Sequence, residues 1–198
     1  MAQGFWQTLV SLAAPGTAVA SSSTRTSLTL GSTQARFTLP ANSLKMPGDQ
    51  LLLKASGIIT TVVTTPGTLT LDFALATTAN CSTGAMTLNT TAQTNAPWYL
   101  EMLMTAFTVG AGTAAQLRFT GYWLSAASLN VAAGSTGPGP GGQMVPFSST
   151  ATGASTLGAT FDSTISQLCD LFSTFSVTTA NSIQLLQYSL SLLTATGF

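Results

Sequence analysis

An all-β fold is predicted: an antiparallel β-sandwich of jelly-roll type, preceded by an extended N-terminal arm. Three observations carry it. Runs rich in Val, Ile, Thr, Leu and Phe alternate at period two, as strands with one buried face do. Gly and Pro interrupt these runs at regular spacing, the pattern of a sandwich or barrel. Charged residues make up only 5% of the 198 while hydrophobic residues reach 45%. Disordered chains combine low hydrophobicity with high charge, so this composition argues for a packed chain.

The elements follow in order. Residues 5–12, "FWQTLVSL", are an apolar opening, and 13–26, "AAPGTAVASSSTRT", are small and polar. Together residues 1–26 read as arm and linker, and 27–198 as the sandwich domain. "SLTL" at 27–30 and "ARFTLP" at 35–40 are short strands, and Pro47-Gly48-Asp49 punctuates the following turn. "LLLKASGIITTVVTT" (51–65) is a long strand with Gly57 at a bend. Pro66-Gly67 then closes a hairpin onto "TLTLDFALA" (68–76). In that return strand Leu69, Leu71, Phe73 and Leu75 share one face, opposite Thr70, Asp72 and Ala74.

"AMTLNTT" (85–91) is a further strand. "PWYLEMLMTAFTV" (97–109) puts Trp98, Leu100, Met102 and Met104 on one side and turns at Gly110-Ala111-Gly112. "AAQLRFTGYWLSA" (114–126) returns. "GSTGPGPGGQ" (134–143) is a Gly/Pro loop, and "TLGATFDST" (156–164) is a strand end. "SQLCDLFSTFSV" (166–177) and "SIQLLQYSLSLL" (182–193) form the last pair. The second of these also fits helical spacing, but it follows a strand across a four-residue turn and reads as a strand. The Leu69/Leu71/Phe73/Leu75 face is expected to pack on the Trp98/Leu100/Met102/Met104 face.

Composition excludes several functions. Five scattered cations (Arg25, Arg36, Lys45, Lys54 and Arg118) cannot neutralise a phosphate backbone, so no nucleic-acid partner is expected. No run of about 18 apolar residues exists, so no membrane helix is expected. The N-terminus lacks the basic segment of a signal peptide. Cys81 and Cys169 fit no metal spacing and read as buried free thiols. The chain has no His, which removes Ser-His-Asp and Cys-His catalysis and zinc sites built on His. No cofactor and no metal site is expected.

Two groupings need weighing. Asp72 and Glu101 could form the carboxylate pair of a glycoside hydrolase if their strands were neighbours. The plainer expectation is that each lies on a polar face or pairs with Arg36, Lys54 or Arg118. Trp6, Trp98, Tyr99, Tyr122 and Trp123 could form a sugar platform, but core or interface anchoring is the better expectation.

"TLPANSLKMPGDQLLLKASGIITTVVTTPGTLTLDFAL", "GAMTLNTTAQTNAPWYLEMLMTAFTVGAGTAAQLRFTGYW" and "FDSTISQLCDLFSTFSVTTANSIQLLQYSLSLL" resemble a family of tailed-bacteriophage virion structural proteins. "VVTTPGTLTLDF" and "TTAQTNAPWYLE" are the most specific segments. The family often has a His near "NTTAQT"; this chain has Gln93, so no role of that His carries over. The resemblance implies a virion location and a structural part: a capsid decoration or cement protein, a head fibre, or a tail component.

The function expected is therefore non-enzymatic. The chain would form an oligomer, a homotrimer, and bind the major capsid protein or other virion proteins through large uncharged interfaces. Such interfaces form without stripping water from unpaired ions. Phe5, Trp6, Leu9, Val10 and Leu12 are the expected interface residues, because a short apolar segment beyond a linker needs a partner surface. The alternative is a tail-associated module binding a receptor or host-surface glycan through loops 77–84, 110–113 and 134–143.

Overall fold

The computed structural model describes residues 6–12, 14–20, 22–31, 36–62, 65–128, 143–147, 156–178 and 180–194. Two antiparallel sheets face each other, and there is no helix among the described residues. In chain order the strands are β1 (Trp6–Leu12), β2 (Val19–Ala20), β3 (Thr26–Ser27), β4 (Phe37–Leu39), β5 (Gln50–Thr61), β6 (Thr68–Leu75) and β7 (Thr78–Ser82). They continue as β8 (Met86–Thr87), β9 (Gln93–Thr108), β10 (Ala115–Ser125), β11 (Gln143–Phe147), β12 (Thr156–Phe161), β13 (Gln167–Phe175) and β14 (Ser182–Leu193).

The large sheet has the order β1-β14-β5-β9-β10-β11, with β12 also on β10 and β2 on β14. The small sheet has the order β3-β13-β6-β7, with β4 on β13 and β8 on β6. The chain alternates between them. It runs β1 large, β3 and β4 small, β5 large, β6 and β7 small, β9 large, β13 small, β14 large. That wrapped path is a jelly roll, and β10 to β12 are an insertion that widens the large sheet.

The core lies between the sheets. Leu69, Leu71, Phe73 and Leu75 of β6 and Trp98, Leu100, Met102 and Met104 of β9 are all buried in one cluster, from opposite sheets. Cys169, Leu171, Ser173 and Phe175 of β13 join from the β6 side and are fully buried. Trp98 and Trp123 stack with ring centroids 5.1 Å apart. Their ring N–H groups donate to the Ile58 carbonyl and to Ser128 Oγ. Gly57 lets β5 pass beneath this pair: an added Cβ would strike the Gln184 carbonyl and the Trp98 ring.

The structure departs from three sequence expectations. Residues 51–65 and 68–76 are not the two arms of a hairpin. β5 pairs with β14 and β9, whereas β6 pairs with β13, β7 and β8. One sheet would have placed both apolar rows side by side on one face. Splitting them lets each row cover the other. Residues 166–177 and 182–193 likewise lie in different sheets. Asn181 joins the two crossovers: its Oδ1 accepts from Val62 N at 3.1 Å, and its Nδ2 donates to the Pro66 carbonyl at 2.8 Å.

The third departure concerns the N-terminal segment. Trp6–Leu12, expected to project as an arm, pairs antiparallel with β14 from Trp6↔Leu193 to Leu12↔Tyr188. β2 and β3, from the expected linker, pair with β14 and β13. Edge pairing satisfies the backbone groups that an extended arm would leave to solvent, and it buries Leu12.

Candidate functional site

The outer face of the large sheet carries Tyr99, Tyr122 and a groove. The strand register places Ser11, Ser189, Lys54, Glu101 and Tyr122 in one row across β1, β14, β5, β9 and β10. The neighbouring row is Gln187, Ser56, Tyr99 and Leu124. These residues alternate with the core-facing Leu53, Ala55, Leu100 and Met102, so strand parity alone turns them outward.

Within these rows the side chains form a connected set. The Tyr99 and Tyr122 rings are tilted at 38° with centroids 5.9 Å apart. The Tyr99 hydroxyl donates to Glu101 Oε2 at 2.8 Å, and the Tyr122 hydroxyl lies 3.5 Å from the same oxygen. Lys54 Nζ is 3.4 Å from that oxygen. Ser56 Oγ donates to Gln187 Oε1 at 3.1 Å. Partial desolvation, then the Glu101 contact, push the Tyr99 phenol well above its ordinary range. It therefore stays a protonated donor.

Beside Tyr99 the sheet opens into a groove of about 360 Å³. Its polar lining comes from Ser11, Lys54, Ser56, Tyr99, Gln187 and Ser189. The pairing slips between Leu185 and Gln187 and between Thr8 and Val10. Such bulges bend a strand and re-aim its side chains.

Asp72 and Glu101 do not meet. Each faces away from the core, on the small and the large sheet respectively, so the sandwich lies between them. Two carboxylates on opposite faces cannot flank one glycosidic bond. Glu101 pairs with Lys54, as expected. Asp72 pairs with Arg25, a partner the sequence reading did not name. Asp170, also on the small sheet, accepts hydrogen bonds from Ser27 Oγ at 2.9 Å and Thr29 Oγ1 at 2.6 Å and lies 3.7 Å from Arg36.

The remaining carboxylates hold turns. Asp49 accepts from the backbone N–H groups of Lys45 and Met46. Asp162 accepts from Gly112 N and from Thr164 N and Oγ1. The Thr164 hydroxyl, with those backbone N–H groups, holds the Asp162 carboxyl below its ordinary range. All five acidic residues of the chain are thus engaged. Among the described residues no group of three or more His, Cys, Asp or Glu comes together to hold a metal ion.

Of the aromatics expected to serve as core or interface anchors rather than a sugar platform, Trp98 and Trp123 are in the core, while Tyr99 and Tyr122 are at the surface. Of the expected interface residues, Trp6 is 48% exposed, Leu9 and Val10 are half-buried against the core, and Leu12 is buried. Phe5 lies outside the described residues. Among the expected binding loops, 77–84 largely becomes β7 and 110–113 is a turn, while 134–142 lies outside the described residues. Ser56 and Gln187 were not singled out from sequence. Strand parity marks them as outward-facing, but only the register brings them together.

No protein-family model and no curated protein matches the chain. Among solved structures it is similar to the CBM2 module of Lactobacillus casei BL23 phage J-1 evolved Dit. That likeness has 12% identity and a TM-score of 0.29, and it spans 82% of this chain and 70% of the other.

Proposed function

We propose that this chain is a non-enzymatic structural protein of a tailed-phage particle, acting by surface burial. The engagement of all five carboxylates in ion pairs, hydroxyl contacts or turns supports this reading most directly. Paired or hydrogen-bonded carboxylates stabilise the sandwich and leave no poised acid and base. The sequence resemblance supplies the phage setting, with capsid decoration, cement or head fibre as the leading role.

Zero net charge, and edges at β1 and β11 that pair with no further strand among the described residues, support assembly with other chains, as a homotrimer or on a capsid surface. Trp6 is the proposed anchor on the β1 side. An exposed indole beside a strand edge can bury apolar area and extend the sheet at once. The test is to quantify the chain in purified particles and assay its turnover of host polysaccharide. Fixed copy number with no turnover is expected. Absence from the particle, or catalytic turnover lost with Glu101→Gln, overturns the reading.

A further inference from the structure

We infer that the groove on the outer face of the large sheet binds a neutral pyranose sugar, with Tyr99 and Tyr122 as the stacking platform. The site lies away from the loops at the ends of the sandwich. It also stands whether the chain sits on a head or a tail.

Size and shape come first. A groove of about 360 Å³ falls within the roughly 300–1,000 Å³ of small-molecule clefts. It is partly open to solvent. Its floor is the β14–β5 pair, a ladder that runs from Ser182↔Thr60 to Leu193↔Gln50 with one bulge between Leu185 and Gln187.

Chemistry narrows the ligand. A strongly anionic ligand finds the Lys54 ammonium of the lining already paired with the neighbouring Glu101 carboxylate at 3.4 Å. A cationic ligand meets Lys54. The pair is locally neutral, which fits an uncharged partner. A wholly apolar ligand would leave Ser11, Ser56, Gln187 and Ser189 without the water they now face, at a desolvation cost. A polyhydroxylated ring satisfies them instead. Gln187 and the serines both donate and accept and Lys54 donates, and hydroxyl groups match that mixture.

The tyrosine pair supplies what hydrogen bonds alone do not. Sugar hydroxyls exchange water for protein with little net gain, so apolar contact must contribute. A pyranose presents a face of C–H groups with partial positive charge, and an aromatic face is negative. Tyr99 lines the groove, and Tyr122 extends the aromatic surface toward β10. The bonds of both hydroxyls to Glu101 hold the rings at the sheet surface and limit the entropy lost on binding.

The test is an array of neutral oligosaccharides built from hexoses and N-acetylhexosamines, followed by calorimetry on the bound probe. Tyr99→Ala and Tyr122→Ala should each weaken binding roughly tenfold. Tyr99→Phe, which keeps the ring, should keep most of it. Thr70→Ala on the other sheet should change nothing. Circular dichroism melts confirm that each variant is folded. Particle incorporation of the same variants reads the structural role separately and should be normal.

Three results overturn the site: no neutral oligosaccharide binds, only anionic glycans bind, or binding survives both alanine variants. Loss of self-association in Tyr99→Ala without loss of sugar binding also overturns it, by making the tyrosine patch a contact between copies.

Discussion

Arg25 reaches across 47 residues of sequence to Asp72, its Nε 2.9 and 3.0 Å from the two carboxylate oxygens. Phe172 lies beneath the guanidinium, whose carbon is 3.6 Å from the ring centroid, and Nη1 donates to the Thr77 carbonyl at 3.1 Å. Through these contacts the segment before β3 straps the outer face of the small sheet. Asp72 is only 4% exposed, so its carboxylate faces Arg25 rather than solvent.

Arg25→Ala should therefore destabilise the protein by on the order of 3 kcal/mol, because it leaves a buried carboxylate unpaired. Arg25→Lys should recover only part of this, since an ammonium cannot match both oxygens and the ring together. Urea midpoints of the three proteins decide it. An unchanged midpoint in Arg25→Ala would show that the strap contributes nothing.

Phe73 and Thr70 lie on opposite faces of β6. Phe73 is fully buried against the large sheet, and Thr70 is partly exposed. Phe73→Ala should cost about 3–5 kcal/mol, and Thr70→Ala less than about 1 kcal/mol. Denaturant midpoints measured beside particle incorporation check both. A nearly silent Phe73→Ala that blocks assembly would move this face from the core to an interface.

Burial pushes the Cys169 thiol from its ordinary 9.0 up to about 12, and it raises Cys81 as well. Thiol reagents at about pH 8 should therefore label neither cysteine until the protein unfolds. The linkage has a definite sign. The folded state holds these protons more tightly than the unfolded state does. Their stabilising contribution is complete below pH 9.0 and falls as pH climbs toward about 12. Urea midpoints should decline across that alkaline window, and less so in Cys169→Ala relative to its own neutral-pH value.

Trp6→Ala and deletion of residues 2–12 should part company. Trp6 is 48% exposed, so its substitution should shift stability by less than about 1 kcal/mol while weakening assembly. Deletion removes a whole strand, bares the β14 edge and uncovers the core beside Leu190. The deleted protein should melt lower and self-associate. Scanning calorimetry with light scattering distinguishes the two. A deletion variant as stable and monodisperse as the parent would mean that β1 contributes nothing to its own sheet.

Much of this architecture was written locally. Period-two alternation assigned inner and outer faces, because side-chain direction along a strand depends only on sequence parity. Leu69 to Leu75 and Trp98 to Met104 were recognised as facing core rows on that basis, and both rows are buried. The same parity left Tyr99, Glu101, Lys54 and Ser56 outside. The absence of His excluded Ser-His-Asp and Cys-His catalysis and His-built zinc sites before any fold was known. What parity could not decide was pairing. Backbone ladders are chemically alike, so nothing in residues 51–76 says whether β5 turns back on β6 or crosses to another sheet. That choice depends on burying two apolar rows at once, and the partners that complete each sheet, β13 for β6 and β14 for β5, lie more than 90 residues away. The strand fate of Trp6–Leu12, the Arg25–Asp72 pair and the groove beside Tyr99 arise in the same way. Each joins segments distant in sequence, so tertiary packing alone brought them together.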